Sequence, residues 1–267
     1  MAILGIIGGS GFYDFLPTGA QTVEQTTPFG AVKLLKGEIS SHTIYFMNRH
    51  GVGHALPPHL INHKANIFGL WQLGVEGIIS TTAVGALTKY EPSDIVLLED
   101  FVDFISPAQT YFDGKFAVTM RNRLEKRGVI HTDFTQAYCP KLRRFLQESG
   151  KRAGIAVKTG GVYIMNMGPR FETPAEISIY SKLGWGNLVG MTNPPEAILA
   201  RELEMHYAAI SLVTNYAAGI SKTKITHVEV LELFEKKKPV LQALIRGLIE
   251  MYSAKDLCNC TKYPATG

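Results

Sequence analysis

The sequence predicts a single α/β domain over residues 1–267, in which helices flank a central, mostly buried mixed β-sheet. Short apolar strands alternate with amphipathic helical stretches along the chain, which is typical of this class. Hydrophobic side chains make up 46% of the residues, enough for one sizeable core, so an intrinsically disordered chain is excluded. No repeat or low-complexity linker divides the chain. Only a C-terminal tail, about residues 254–267, is expected to be loose.

The first half of the chain contains most of the predicted strands. Residues 3–7 are apolar without interruption and are followed by glycines, the pattern of a strand that is buried on both faces. Pro57 and Pro58 open a helical pattern, since proline is favoured in the first turn of a helix. Residues 101–136 are polar, aromatic and aperiodic, and long loops of this kind are usually functional. Further strands are predicted at 32–35, 43–47, 77–81 and 94–98.

The second half repeats the alternation of helices and strands. Thr173 is a candidate N-cap, and Glu176 three residues later completes the pattern of a capping box. Thr226 precedes a last long helical stretch, which Pro239 either kinks or restarts. Helices are also predicted at 140–150, 173–182 and 194–204, and strands at 156–163 and 208–213.

Charge and hydropathy restrict the possible partners. The net charge of +4 is small, and the lysine run at 236–238 is interpreted as a solvated helix face, so we expect no nucleic acid partner. No run approaches the roughly 20 apolar residues that span a bilayer. The N-terminal apolar stretch lacks a basic flank and breaks at Gly8 and Gly9. We therefore expect a cytoplasmic protein with no membrane partner.

The three cysteines do not predict a disulfide framework. Cys139 is interpreted as a buried, small apolar group. Cys258 and Cys260 are either free thiols on a loose tail or a pair that forms a redox couple or a strained local disulfide. No cluster has the spacing of metal ligands, so no metal is expected.

Three polar segments follow predicted strands and have the donors to bind an anion. Glycines allow close approach of backbone N–H groups, arginine offers a fork of donors, and hydroxyls add more. Each segment also has an ordinary interpretation: the glycine-rich segment as a tight turn, the segment with Arg49 and His50 as a surface pair, and the segment at 80–85 as an inert strand end. The glycine spacing does not match the dinucleotide-binding fingerprint. The segments are Gly8-Gly9-Ser10-Gly11, Asn48-Arg49-His50-Gly51 and Ser80-Thr81-Thr82-Ala83-Val84-Gly85.

These segments occur in an order that resembles one family. With Gly168-Pro169-Arg170-Phe171-Glu172-Thr173, Gly190-Met191-Thr192 and Thr214-Asn215, they follow one another as in trimeric purine nucleoside phosphorylases. The chain resembles the branch that includes methylthioadenosine phosphorylase, over roughly residues 3–250. The resemblance implies the nucleoside phosphorylase fold, a nucleoside and inorganic phosphate as co-substrates, and no cofactor or metal.

The same resemblance implies an assembly and a set of site residues. The assembly is a homotrimer or hexamer, in which the stretch around Tyr111, Phe112 and His131 reaches a neighbour's ribose pocket. Asn215, His50 and Glu172 are the expected catalytic residues. Phosphate would be held by Ser10, Arg49, His50, Thr82, Ala83 and Thr192. The nucleoside would contact Met191 at the ribose, Phe171, Glu172, Asn215, Tyr216 and Ala217 at the base, and His227 at the 5′-hydroxyl.

The base can be inferred from hydrogen-bond chemistry. A 6-oxopurine presents an acceptor at O6 and a donor at N1–H, whereas adenine presents the reverse. An ionised Glu172 only accepts, and the Asn215 amide both donates and accepts, so the pair suits a 6-oxopurine. The methylthioadenosine branch typically has Ser in place of Glu172, and Asp-x-Asp in place of residues 215–217. The alternative is a helix-start carboxylate at Glu172 and a strand-end Asn215.

The sequence thus predicts a purine nucleoside phosphorylase that acts on inosine and guanosine. One alternative is a methylthioinosine or methylthioadenosine phosphorylase, which differs at the 5′ end or in the base pocket. A second alternative is a nucleoside-binding module without activity. We expect Arg49→Ala to raise the KM for phosphate while leaving folding intact, and Glu172 and His227 to set specificity.

Overall fold

A nine-stranded mixed sheet occupies the centre of the computed structural model. The structure describes residues 1–12, 14–51, 53, 55–104, 107–113, 130–221, 226–253 and 257–262. The strands are β1 Ile3–Gly8, β2 Gln21–Thr27, β3 Gly30–Ile39, β4 His42–Asn48, β5 Gly77–Ala86, β6 Ile95–Asp103, β7 Lys158–Met165, β8 Leu188–Gly190 and β9 His206–Tyr216. The helices are α1 His63–Gln72, α2 Pro140–Ala153, α3 Pro174–Lys182, α4 Asn193–Glu202 and α5 His227–Met251.

The sheet combines parallel and antiparallel pairs in the order β2-β3-β4-β1-β5-β8-β7-β6-β9. Strand β9 also pairs with β5, so β5, β8, β7, β6 and β9 form a closed ring. Three strand pairs are parallel and adjoin one another: β4 with β1, β1 with β5, and β5 with β9. Their carboxyl ends therefore meet at one edge, where a ligand site is expected in an α/β sheet. The predicted single α/β unit with a mixed, mostly buried sheet is confirmed for the described residues.

Helices cover the sheet in two groups. Helix α1 contacts α4, and both belong to an apolar cluster with residues such as Ile67 and Leu199. Helix α2 contacts α5, and both belong to a second cluster with residues such as Leu146 and Leu244. The apolar residues of β1, β5 and β9 are divided between these clusters, which explains the uninterrupted apolar runs in the sequence.

Several predicted boundaries require correction. The helix predicted to begin at Pro57 and Pro58 is a short 3₁₀ turn over Pro58–Leu60, and α1 starts only at His63. Its N-cap is Asn62, whose side-chain oxygen accepts from the Ala65 N–H at 3.0 Å. Strands β2 and β8 were not predicted. Helix α5 continues through Pro239 as a single helix.

The long stretch at 101–136 differs in part from the prediction. Strand β6 extends to Asp103, and residues 114–129 lie outside the described residues. Tyr111 is fully buried in its own chain, and its hydroxyl donates to the Lys64 carbonyl at 2.7 Å. Phe112 is half-buried and His131 is exposed, and the expected contact of this stretch with a neighbouring subunit stays a prediction.

The C-terminal segment is not loose over residues 257–262. Leu257, Cys258 and Cys260 pack against the α2 and α5 cluster, and Thr261 is buried. Residues 254–256 and 263–267, the rest of the predicted tail, lie outside the described residues. Among the described helices, none is both long and apolar enough to span a membrane.

Candidate active site

A cavity of about 390 Å³ opens at the edge where the parallel strands end. The strand register explains why distant segments meet there: Gly8 pairs with Asn48 across β1 and β4, and Ile7 pairs with Ser80 across β1 and β5. Most residues predicted to bind phosphate or nucleoside line this cavity, namely Ser10, Arg49, His50, Thr82, Ala83, Phe171, Glu172, Met191, Thr192 and Asn215.

Three predicted residues are not part of this lining. Tyr216 is the last residue of β9 and is partly exposed. Ala217 is buried in a separate apolar cluster with Leu87 and Ile177. The side chain of His227 lies outside what the structure describes, although Val230, one helical turn later on α5, lines the cavity. Tyr216 and Ala217 thus lie outside the cavity lining, and the expected roles of all three residues stay predictions.

Arg49 lies at the inner wall of the cavity, where its guanidinium is almost entirely engaged by protein. Its Nε and Nη2 bind the two carboxylate oxygens of Glu196, and Nη2 also donates to Ser80. Its Nη1 donates to the Thr81 carbonyl at 3.0 Å. Since arginine has five N–H donors, one Nη1 N–H has no partner among the described residues. Arg49 therefore offers an anion one directed donor and a positive charge rather than an open fork.

The Arg49–Glu196 pair is buried, and its charges stabilise each other. Burial alone would raise the pKa of the Glu196 carboxyl, but the charge and hydrogen bonds of Arg49 outweigh burial and lower it. The Tyr207 hydroxyl adds a hydrogen bond to Glu196 at 2.7 Å. His63 lies 4.0 Å from the same carboxylate, yet burial lowers its pKa to about 4, so this imidazole is neutral at neutral pH.

The glycine-rich turn packs directly on Arg49. The Gly9 N–H donates to the Thr81 hydroxyl at 3.1 Å. A Cβ at Gly9 would lie 2.7 Å from the Thr81 carbonyl oxygen and 2.9 Å from Arg49 Nη1, so this position requires glycine. Ser10, the next residue along the chain, lines the same cavity as Arg49.

His50 and Thr192 line the same cavity, and a hydrogen bond to another residue holds each of them in place. His50 Nδ1 lies 2.9 Å from the Leu56 carbonyl, which can only accept, so Nδ1 carries the proton and Nε2 faces away from that bond. The Thr192 N–H donates to the Tyr163 hydroxyl at 3.1 Å. Thr192 immediately precedes α4, whose N-terminus favours negative charge. These groups surround a space suited to an anion.

Glu172 lies in another wall of the cavity and is nearly buried. The Asn166 amide donates to Glu172 Oε1 at 2.8 Å, and the Tyr180 hydroxyl donates to Asn166 Oδ1 at 3.3 Å. Within the described part of the chain, no side chain donates to Oε2. Burial raises the pKa of Glu172, while the Asn166 hydrogen bond partly opposes that shift. Glu172 is thus an oriented carboxylate with one oxygen available to a ligand donor.

A β-bulge positions Asn215. The pairing of β5 with β9 shifts after Val84, so that Gly85 opposes Asn215 and Thr214 is the extra residue. The Thr214 hydroxyl donates to Asn215 Oδ1 at 2.8 Å, and Asn215 Nδ2 donates to the Tyr216 carbonyl at 2.9 Å. Since the Tyr216 carbonyl can only accept a hydrogen bond, the amide atom that faces it must be the nitrogen Nδ2 of Asn215. One N–H and one lone pair of the Asn215 amide are left for a ligand.

Sequence reasoning missed the residues that hold these groups in place. Glu196 is separated from Arg49 by 147 positions, and an acidic residue in the first turn of a helix has an ordinary electrostatic explanation. Asn166 is a common polar residue next to a predicted motif, and Thr214 belongs to the motif Thr214-Asn215 but was assigned no role of its own. Thr173 and Glu176 do form the predicted capping box, which begins α3 directly after Glu172.

A second cluster lies away from this cavity. Spacing along the chain predicts no metal-ligand cluster, and the fold corrects this. Cys139, His206, Cys258 and Cys260 bring three sulfurs and an imidazole nitrogen within 4.8 Å of one another. Cys139 is not an isolated apolar group, because its sulfur also accepts from the Leu142 N–H at the start of α2.

Comparisons with known proteins agree with this geometry. The family model described as "Phosphorylase superfamily" matches residues 3–250. The chain is 44% identical to the 6-oxopurine nucleoside phosphorylase of Pyrococcus furiosus, over 97% of each protein. It is 44% identical to the probable S-methyl-5′-thioinosine phosphorylase of Methanopyrus kandleri, over 98% of this chain and 97% of that protein.

A solved structure supports the same relationship. The methylthioadenosine phosphorylase from Schistosoma mansoni in complex with adenine superposes with a TM-score of 0.83 at 29% identity, over 94% of this chain and 91% of that one. The fold expected from the motifs is therefore confirmed. With one family description and relatives that match nearly end to end, the chain belongs to the phosphorylase superfamily and has the fold of the nucleoside phosphorylases.

Proposed function

We propose that this protein is a purine nucleoside phosphorylase that cleaves 6-oxopurine nucleosides, inosine and guanosine, to the free purine and ribose 1-phosphate. The observation that carries the proposal is the pair of oriented groups Glu172 and Asn215 in one cavity. An ionised Glu172 Oε2 accepts from N1–H. The Asn215 amide donates to O6 and accepts at N7. Adenosine would instead place its N1 lone pair against the carboxylate.

Other residues of the cavity lining support a phosphate site. Ser10 and Thr82 add hydroxyls, the Ala83 and Thr192 region adds backbone, and Arg49 adds positive charge. His50 Nε2 accepts from a protonated phosphate oxygen, or donates when the ring itself is protonated. Because the Arg49 charge is already balanced by Glu196, we expect binding to depend on several short hydrogen bonds rather than on net charge.

The reaction needs the phosphate and the purine held in line, on opposite sides of the sugar carbon C1′. A phosphate oxygen forms a bond to C1′ while the C1′–N9 bond breaks, and the electron pair of that bond leaves with the purine. The leaving purine takes a proton from solvent at N7, and Asn215 Oδ1 accepts the resulting N7–H. Positioning of phosphate and stabilisation of the leaving base supply the catalysis, so no covalent nucleophile on the protein is required.

A product assay tests this proposal. The protein is incubated with inosine, guanosine or adenosine, with and without inorganic phosphate, and purine and ribose 1-phosphate are quantified. We expect phosphate-dependent release of hypoxanthine and guanine and at least about tenfold slower release of adenine. Release of purine without phosphate would indicate a hydrolase, and binding of inosine without turnover would indicate a module that only binds nucleosides. Either result rejects the proposal.

A second candidate is a methylthioinosine phosphorylase, the printed name of the Methanopyrus kandleri relative. It would share the base pocket and differ only at the 5′ end of the ribose. Val230 of α5 is an apolar residue in the cavity lining, which is the observation in favour of a methylthio group. The ratio of kcat/KM values for inosine and methylthioinosine separates the two candidates.

We propose in addition that the protein assembles as a homotrimer or hexamer in the cytoplasm. Ile179 on α3, Leu183 and Trp185 directly after it, and Phe104 after β6 are exposed apolar residues, and the Phe104 and Trp185 rings lie 5.0 Å apart. Exposed apolar residues of this kind support a protein interface, and α3 begins two residues after Glu172. The three cysteines are free thiols, which fits a reducing compartment.

Sedimentation equilibrium tests the assembly. We expect a trimer or hexamer, and we expect Leu183→Glu to dissociate it while Lys151→Glu, a charge reversal on the exposed side of α2, does not. A native monomer with full activity contradicts the proposed assembly.

A further inference from the structure

We infer that Cys139, His206, Cys258 and Cys260 form a structural zinc site. Their ligand atoms converge in space: the Cys139 and Cys258 sulfurs are 3.5 Å apart, and His206 Nδ1 lies 3.3 Å from Cys139 Sγ and 3.4 Å from Cys260 Sγ. The third sulfur, Cys258 Sγ, is 3.9 Å from the same nitrogen. Three sulfurs thus surround one imidazole nitrogen.

These distances match the edges of a zinc tetrahedron. Zn–S bonds of about 2.3 Å and a Zn–N bond of about 2.0 Å separate two sulfurs by about 3.8 Å and a sulfur from a nitrogen by about 3.5 Å. The separations in the structure differ from these edges by a few tenths of an ångström. A Cys₃His set is one of the usual ligand sets of structural zinc.

The surroundings suit thiolate ligands. Cys139 is the N-cap of α2, and the Leu142 N–H lies 3.5 Å from its sulfur, so the helix N-terminus stabilises negative charge there. Cys139 is buried, and Cys258 and Cys260 are half-buried. Binding of Zn²⁺ would displace the thiol protons to solvent with no change of oxidation state.

Four ligands leave no open coordination position, so the site would be structural rather than catalytic. His206 begins β9, while Asn215 lies nine residues further along the same strand, roughly 30 Å away at the usual rise per residue. The ion would tie the C-terminal segment 257–262 to the starts of α2 and β9. It would thereby hold that segment against the core.

The competing explanation is a disulfide. Two of the three thiols could pair by oxidation, but a disulfide uses only two sulfurs and leaves the third sulfur beside His206. Zinc accounts for all four residues at once, including the histidine nitrogen that faces the three sulfurs. The two explanations differ in metal content, in the mass of the chain and in the response to chelators.

The test uses the full chain, purified with a thiol reductant, and measures zinc by elemental analysis and by titration with Zn²⁺ against a chromophoric chelator. We expect about one zinc per chain and a lower thermal unfolding temperature after chelation, with kcat retained at temperatures well below unfolding. Cys260→Ser and His206→Gln should each weaken zinc binding by more than about tenfold. Asn259→Ala, an exposed residue between two ligands, is the matched control and should bind zinc as the native protein does.

Several results would overturn the inference. The first is reduced protein that neither contains nor binds zinc, and the second is equal zinc affinity in Cys260→Ser and Asn259→Ala. The third is protein purified without reductant that has no metal bound and a chain mass lower by the two hydrogens of a disulfide. Since Cys139 is a buried helix cap, Cys139→Ser can fail by misfolding. The half-buried Cys260 keeps the test decisive.

Discussion

Arg49 and Glu196 form a bidentate ion pair in the wall of the cavity, with both side chains about 1% exposed. A buried pair of this kind is strongly destabilised when one partner is removed, because the other charge remains without compensation. This relationship corrects the expectation that Arg49→Ala leaves folding intact. It also separates two roles of Arg49, in stability and in phosphate binding, which variants can distinguish.

We predict that Arg49→Met destabilises the protein by about 3–5 kcal/mol, because Glu196 is left as an unpaired buried carboxylate. The double variant Arg49→Met, Glu196→Gln removes both charges and should recover most of that loss. Both proteins should show a strongly raised KM for phosphate, since the donor and the charge of Arg49 are absent from each. Urea unfolding and phosphate saturation curves measure the two effects.

The control for this pair is Glu196→Gln alone, which keeps Arg49 but removes its counter-charge. A native KM for phosphate in the double variant would exclude Arg49 from the phosphate site. If the double variant is no more stable than Arg49→Met, the loss of stability does not come from the unpaired carboxylate.

The second prediction concerns Glu172 and pH. Burial raises the pKa of this carboxyl, so protonation removes the N1–H acceptor at a higher pH than for an ordinary glutamate. The kcat/KM for inosine should therefore fall on the acid side. Glu172→Gln should lose this limb and reduce the preference for inosine over adenosine by about 10- to 100-fold, the worth of a charged hydrogen bond.

Rates measured from pH 4.5 to 8 for both nucleosides check this. Glu250→Gln, which alters an exposed carboxylate near the end of α5, is the matched control and should keep the native profile. An acid limb that persists unchanged in Glu172→Gln would assign the titration to another group.

The third prediction concerns His63 and stability. Burial lowers the pKa of His63 to about 4, below the 6.5 expected in the unfolded chain. Between these values the unfolded chain binds more protons, so the free energy of unfolding rises with pH over that window. The full effect is about 3 kcal/mol, and it is complete above about pH 6.5.

Urea unfolding at several pH values between 4 and 7.5 measures this slope. In His63→Asn the contribution of this residue disappears, and the slope should be shallower than in the native protein. His59→Asn, at an exposed histidine in the preceding turn, should leave it unchanged. Equal slopes in His63→Asn and the native protein would contradict the assignment.

Elements of the fold were predictable where a short stretch of sequence shows an apolar run or a capping pattern. The apolar run of β1 and the capping box at Thr173 and Glu176 each have a local physical cause, and both were found. Strand β2 was missed because its residues are polar and exposed, and β8 because three residues carry no period. The start of α1 was misplaced because the side chain of Asn62, rather than a proline, caps it.

The candidate site was predictable for groups that line the cavity and not for those that support them. Glycine, arginine and hydroxyl motifs follow strands, so their meeting at one sheet edge follows from parallel topology. The partners of Arg49 and Glu172 depend on pairings across the fold, and one extra residue at Thr214 sets the direction of Asn215. Cys139 and Cys260 likewise meet only because the C-terminal segment returns to the core.

The last prediction concerns His227, the first residue of α5 after the N-cap Thr226. By resemblance this position meets the nucleoside 5′-hydroxyl, whereas methylthio-specific relatives usually have an apolar residue there. Val230, three residues later on the same helix, lines the cavity, so this part of α5 adjoins the site. A site that hydrogen-bonds a hydroxyl can reject an analogue lacking it by 10⁴-fold or more, while an apolar site rejects a hydroxyl by only about 10²-fold.

We therefore expect the native protein to prefer inosine over methylthioinosine, and His227→Val to narrow or invert that preference. The kcat/KM ratio of the two substrates measures it in both proteins. Val228→Ala, at the exposed neighbouring position, should keep the native ratio and so controls for disturbance of the start of α5. In His227→Val the 5′-hydroxyl of inosine loses its hydrogen-bond partner. The methylthio group of methylthioinosine gains an apolar contact with the valine instead. A ratio that does not move in His227→Val would mean that another residue recognises the 5′ position.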